Sequence, residues 1–111
     1  MDTPGEYAET VKHEFVNGRL ELRRTPEERE PLLQRLRKVE GQVRGLQQMI
    51  AEDRYCLDEV QRISAITAAL REVSLLIMRQ HVEAGVGLAL ENGDRAAVGE
   101  DLLRVLRAAL R

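Results

Sequence analysis

The run from Tyr55 to Glu91 contains no proline, and no glycine before Gly85. Apolar or small residues recur along it at Cys56, Val60, Ile63, Ile66, Ala69 or Leu70, Val73, Ile77, Ala84 and Leu88. Steps of three and four over that length predict one long amphipathic helix. In a chain of 111 residues such a helix exposes more apolar surface than a single copy readily covers, so a bundle built from several subunits is the economical solution.

Cys56 and His81 both lie on this stripe. They are 25 residues apart, close to seven whole helical turns, so their side chains point the same way. Along the axis they are separated by roughly 37 Å. One helix cannot bring both to one ligand. An antiparallel copy from a second subunit sets Cys56 of one chain beside His81 of the other. If the two residues share a site, the protein is an oligomer.

Composition supports helices over sheet. Leu, Ala, Glu and Arg dominate, and the aromatic residues are only Tyr7, Phe15 and Tyr55. A net charge of −2 argues for no partner by itself. The lone cysteine excludes an internal disulfide framework and fits a reducing, cytoplasmic setting. No apolar run approaches a membrane span, and the acidic N-terminus has no apolar signal-like segment.

In chain order, residues 1–24 form an N-terminal arm, partly ordered or mobile, and 25–111 the helical domain. Asn17-Gly18 is a turn signal flanked by alternating residues, which fits a small hairpin. Tyr7, Val11 and Phe15 fit a short helix ending at Gly18 equally well. Thr25-Pro26-Glu27-Glu28 predicts a helix start, with Thr25 as N-cap and Pro26 at the first helical position. Leu32 or Leu33, Leu36, Val39, Val43, Leu46 and Ile50 then form its apolar face, with Leu36, Val39 and Val43 pointing inward. Gly41 and Gly45 leave a flat stripe within that helix, suited to close helix packing or to a DNA backbone. The helix ends near Asp53. The long helix follows until Asn92-Gly93-Asp94, with Gly93 as left-handed cap and Asp94 as N-cap of a third helix from about Arg95 to Leu110.

Gln34 to Arg44 carries Arg35, Arg37, Lys38 and Arg44 against a single Glu40. On a helix these residues form an outer basic arc. Repeated over subunits, the arc makes a track for phosphates, and Arg71 and Arg79 on the second helix extend it. A solvated helix surface is the plain alternative. No helix-turn-helix or zinc-finger pattern is present. Nothing has the spacing of a hydrolytic triad or a metal hydrolase, so an enzyme is not expected.

The segments R-L-R-K-V-E-G-Q-V-R-G-L (35–46), M-I-A-E-D-R-Y-C (49–56) and Q-R-I-S-A-I (61–66), with His81 after the cysteine, resemble the copper-sensitive operon repressor family, which includes nickel/cobalt-, formaldehyde- and persulfide-sensing relatives. The likeness covers about Pro26 to Arg111. It implies an all-α, three-helix protomer, an antiparallel helical-bundle dimer and a dimer-of-dimers homotetramer that binds operator DNA and is released by an effector at the dimer interface. Cys56 and His81 match the first two copper ligands of that pattern. The third falls on Gly85, which has no side chain. Tyr55 and Asp101 resemble the outer-shell residues of the site.

Three readings of the site stand side by side. In one, Cu(I) or another transition metal binds Cys56 and His81, with His13, Met78 or Glu83 completing the set and His13 the best donor among them. In the second, Cys56 is a reactive thiolate, with His81 and Arg54 nearby, that senses formaldehyde or another electrophile. In the third, both residues are packing. A persulfide sensor needs two cysteines and is not expected. A helical protein-interaction module without DNA binding is the remaining class.

Overall fold

The computed structural model describes residues 13–111. Tyr7 and Val11, on which the short N-terminal helix depends, lie outside the described residues. Two short antiparallel strands, β1 (Glu14–Val16) and β2 (Arg19–Glu21), pair with Phe15 opposite Leu20. The turn between them needs positive φ at both central residues, and Asn17 (φ 55°) and Gly18 (φ 76°) supply it. Three helices follow: α1 (Pro26–Ala51), α2 (Cys56–Asn92) and α3 (Arg95–Ala109). Apart from the small hairpin the fold is all-α, as the periodicity predicts. Among the described residues no helix is long and apolar enough to cross a membrane.

Local chemistry sets the boundaries. Pro26 takes the first position of α1, where its missing N–H costs nothing. Pro31 lies inside the same helix and removes one backbone hydrogen bond early in it. Asp53 (φ 53°) turns the chain between α1 and α2, and Gly93 (φ 75°) ends α2 with its N–H on the Ala89 carbonyl at 2.9 Å. Asp94 occupies the N-cap position of α3, but its side chain makes no capping hydrogen bond, which departs from the expected cap.

The chain forms two compact units. Glu28–Leu76 is a helical hairpin made from α1 and the first part of α2. Its buried apolar residues are Leu32, Val39, Met49, Ile66 and Val73. Leu36 and Val43, expected to face inward, are instead 40% and 37% exposed. With Ile50 they recur every seven residues, a second apolar line on α1 that its own chain leaves uncovered. The other unit joins the described residues up to Glu27 with Ile77–Arg111. There β2 lies against α3, and Leu20, Ala84 and Val98 form the apolar centre.

Candidate functional site

His81 lies in the second part of α2, and its side chain is 12% exposed. Its Nε2 is 2.5 Å from Asp101 Oδ2, on α3. Asp101 is the one buried charged residue among those described, 3% exposed. A buried carboxylate is costly unless donors satisfy it. Its second oxygen, Oδ1, accepts from Arg104 Nη1 at 3.2 Å, one turn along α3. A carboxylate oxygen accepts, so in the neutral ring His81 donates to it through Nε2. That leaves the Nδ1 lone pair for a ligand. A carboxylate that fixes the tautomer of a histidine is the usual outer partner of a metal-bound imidazole.

Gly85, one turn further on α2, is buried. A Cβ added there would meet Val98 Cγ1 at 3.2 Å, Leu102 Cδ2 at 3.4 Å and Leu20 Cδ2 at 3.6 Å. The position that the resemblance aligns with a third ligand is therefore packed by α3 and by the hairpin, and offers no vacant slot.

Cys56 is exposed, in the first turn of α2, and Tyr55 before it is 70% exposed. His13 accepts the backbone N–H of Arg23 at Nδ1, 3.1 Å away. In the neutral ring Nε2 then carries the proton, so His13 presents no free lone pair while that bond is kept. Among the described residues, no three His, Cys, Asp or Glu side chains of one chain converge on a common point. His81 and Asp101 are brought together. Cys56, His13 and Tyr55 do not join them in a metal-sized cluster.

The basic residues divide into two groups. Arg37 pairs with Glu30 at 3.0 Å and Arg79 with Glu83 at 3.3 Å, both on the surface. Such exposed pairs are weak and release their arginine readily to a phosphate. Arg35 and Lys38 line a groove of about 540 Å³ together with Gln34, Val39, Gln42 and Glu72. Arg35, Lys38, Arg44 and Arg71 have no ion pair among the described residues. Gly41 faces open space, whereas a Cβ on Gly45 would meet Arg62 Nη1 at 2.7 Å. Within one chain, then, neither glycine serves close backbone packing. Gly45 lets the Arg62 guanidinium cross α1. Arg62 and Arg104 were not singled out by sequence spacing. The available signal for Arg104 was its i+3 step from Asp101.

Residues 28–108 match the family model of the metal-sensitive transcriptional repressor. The chain belongs to this family. Its members are regulators of transcription, not enzymes, and DNA is their partner. The chain is 37% identical over 84 residues to the copper-sensing transcriptional repressor CsoR of Bacillus subtilis (strain 168), covering 76% of this chain and 83% of that protein. It is 48% identical over 66 residues to the copper-sensing transcriptional repressor RicR of Mycobacterium tuberculosis (strain ATCC 25618 / H37Rv), covering 60% of this chain and 69% of that protein. Among solved structures, the copper-sensing repressor CsoR with Cu(I) from Geobacillus thermodenitrificans NG80-2 is similar at a TM-score of 0.73 and 34% identity, over 90% of this chain and 97% of that one.

Proposed function

We propose that the chain is a cytoplasmic repressor that binds operator DNA as a homotetramer and leaves it when a metal ion binds at a site shared between subunits. The Cys56 thiolate of one chain and the His81 Nδ1 of an antiparallel partner are the ligands. The observation that carries this reading is the His81–Asp101 pair, because it orients a histidine with one nitrogen committed and the other free. Cys56 is exposed at a helix start, as a residue completed by another chain must be.

The donor set favours Cu(I). A soft thiolate and one imidazole satisfy a soft ion that accepts few ligands, whereas zinc asks for four. The bound ion supplies charge and a fixed distance between two helices of different subunits. The chain's own residues supply the rest. Asp101 sets the His81 tautomer, and Arg104 orients the carboxylate. Leu20, Val98 and Leu102 occupy the volume beside Gly85. Tyr55 supports the site from the Cys56 end in the partner. His13 joins only by giving up its bond from the Arg23 N–H, so it supports the site rather than anchoring it.

Two uncovered apolar lines support the assembly. On α2, Val60, Ile63 and Leu70 are 57%, 47% and 44% exposed, and on α1 Leu36, Val43 and Ile50 form the second line. Exposed apolar patches of this kind mark association surfaces. Arg35, Arg37, Lys38 and Arg44, extended by Arg71 and Arg79, are the phosphate contacts. A second reading keeps the DNA-binding role and makes Cys56 an electrophile sensor, favoured by the exposed thiol and the absent third ligand at Gly85.

The test is DNA release. Reduced protein on an upstream duplex is titrated in parallel with Cu(I), Zn(II), Ni(II) and formaldehyde. Release by Cu(I) that is lost in Cys56→Ala supports the metal reading. Release by formaldehyde alone transfers the assignment to the electrophile reading. Absence of any salt-dependent DNA binding removes both.

A further inference from the structure

Arg104 reaches two groups far apart in sequence. Its Nη1 donates to Asp101 Oδ1 at 3.2 Å and to the Gly18 carbonyl, in the hairpin turn, at 3.4 Å. The other oxygen of the same carboxylate holds His81 Nε2. The hairpin has two further attachments in the same neighbourhood. Leu20, 6% exposed, rests beside Gly85, one turn from His81. Arg24 Nε donates to Oε1 of Gln80, the residue next to His81, at 2.6 Å. The hairpin is thus fastened at its turn, its middle and its exit to groups that flank the same imidazole.

We propose that this hairpin is a strap coupled to His81 through Arg104, so that ligation of His81 tightens the strap and loosening the strap weakens ligation. The inference rests on the reading above, in which His81 takes the effector through Nδ1. A cation on Nδ1 makes Nε2–H a stronger donor, which pins Asp101 Oδ2. A pinned carboxylate fixes Oδ1, then the guanidinium, then the Gly18 carbonyl. Leu20 adds a second link, because its Cδ2 packs within van der Waals reach of residue 85, one turn from His81. Arg104 is a positioning residue in this scheme and touches no effector. The two effects are reciprocal: the factor by which the metal protects the strap equals the factor by which the docked strap strengthens metal binding.

The experiment is hydrogen exchange of the hairpin amides in the full-length protein, with and without Cu(I), beside Cu(I) affinity measured against a chromophoric competitor. Cu(I) is expected to slow hairpin exchange by about fivefold or more, within the usual range of site-to-site coupling. Leu20→Ala, which removes no metal donor and loosens one of the three attachments, weakens Cu(I) binding by up to the same factor. Arg104→Gln abolishes both effects, and Arg104→Lys restores part of each. In metal-free protein Asp101→Asn speeds hairpin exchange, while Glu100→Gln on the outer side of α3 does not. Hairpin exchange indifferent to bound Cu(I), together with wild-type affinity in Leu20→Ala and Arg104→Gln, overturns the strap. If the wild-type protein binds no Cu(I), the metal reading fails, and the strap stands or falls on the metal-free Asp101→Asn exchange alone.

Discussion

The two units of the chain differ in whether they bury a charge. Around His81 a carboxylate is buried and both of its oxygens are occupied, by Nε2 of the histidine and by a guanidinium. In Glu28–Leu76 the ion pairs Arg37–Glu30 and Arg54–Glu52 are on the surface, and Arg35 and Lys38, which line its groove, have no ion pair among the described residues. Buried charge fixes geometry, because breaking it leaves an unsatisfied partner. Surface charge fixes little and remains available to an outside partner. The contrast fits the proposed division of labour, in which one unit presets an imidazole and the other offers a basic face to an outside partner.

The largest effect that can break this contrast is loss of the thiol. Cys56→Ala should abolish Cu(I)-induced DNA release while leaving salt-dependent DNA binding within about threefold of wild type, since no phosphate contact is removed. A retained response reduces Cys56 to packing. Next is the buried carboxylate. Asp101→Ala should lower Cu(I) affinity by roughly 10- to 100-fold, as loss of an outer partner does. The same change should destabilise the fold by about 1–3 kcal/mol, measured by urea unfolding. A variant as stable as wild type would show that the pair carries no structural weight.

Gly85→Cys sharpens the contrast in a different way. It adds the absent soft ligand but drives a side chain against Val98 and Leu102. Cu(I) affinity should rise while stability falls by about 1–3 kcal/mol, the usual range for overpacking. The smallest effects belong to the basic face. Replacing Arg44 by Gln should reduce the slope of log affinity against log salt by about 1. Its effect on unfolding should stay below about 0.5 kcal/mol, as for most surface substitutions.

Much of the fold was legible because helical period and punctuation are local signals. The Pro26 start and the Gly93 stop correspond to element boundaries, and the stripe from Cys56 to Leu88 lies on one helix, although only Ile66, Val73 and Ala84 of it are buried and Val60, Ile63, Leu70 and Ile77 are exposed. The apolar stripe of α1 was legible only in part. Period marks which residues are apolar together, but not whether their own chain covers them, and so Leu36 and Val43 read as core while lying half open. The pairing of Arg37 with Glu30 was missed for a related reason. A run with few acids inside it can still take one from about two turns upstream. At the site, the resemblance put Asp101 near His81, but nothing in the spacing showed that Arg104 reaches back to Gly18. That contact spans 86 residues and depends on how β2 lies on α3. Gly85 reads, from the resemblance, as an absent ligand, and its structural meaning is packing against Val98 and Leu102 of α3, with Leu20 beside them, which no local pattern encodes.

Complementation between subunits tests the shared site most directly. Cys56→Ala and His81→Ala proteins are unfolded together, mixed in equal amounts and refolded, and Cu(I) capacity is measured. Either variant alone binds at no site with both ligands. With ligands drawn from opposite subunits, half of the dimers are hybrids with one intact site each, and capacity returns to about a quarter of wild type. A mixture that binds no more Cu(I) than its two parents would contradict a site built from Cys56 of one chain and His81 of the other.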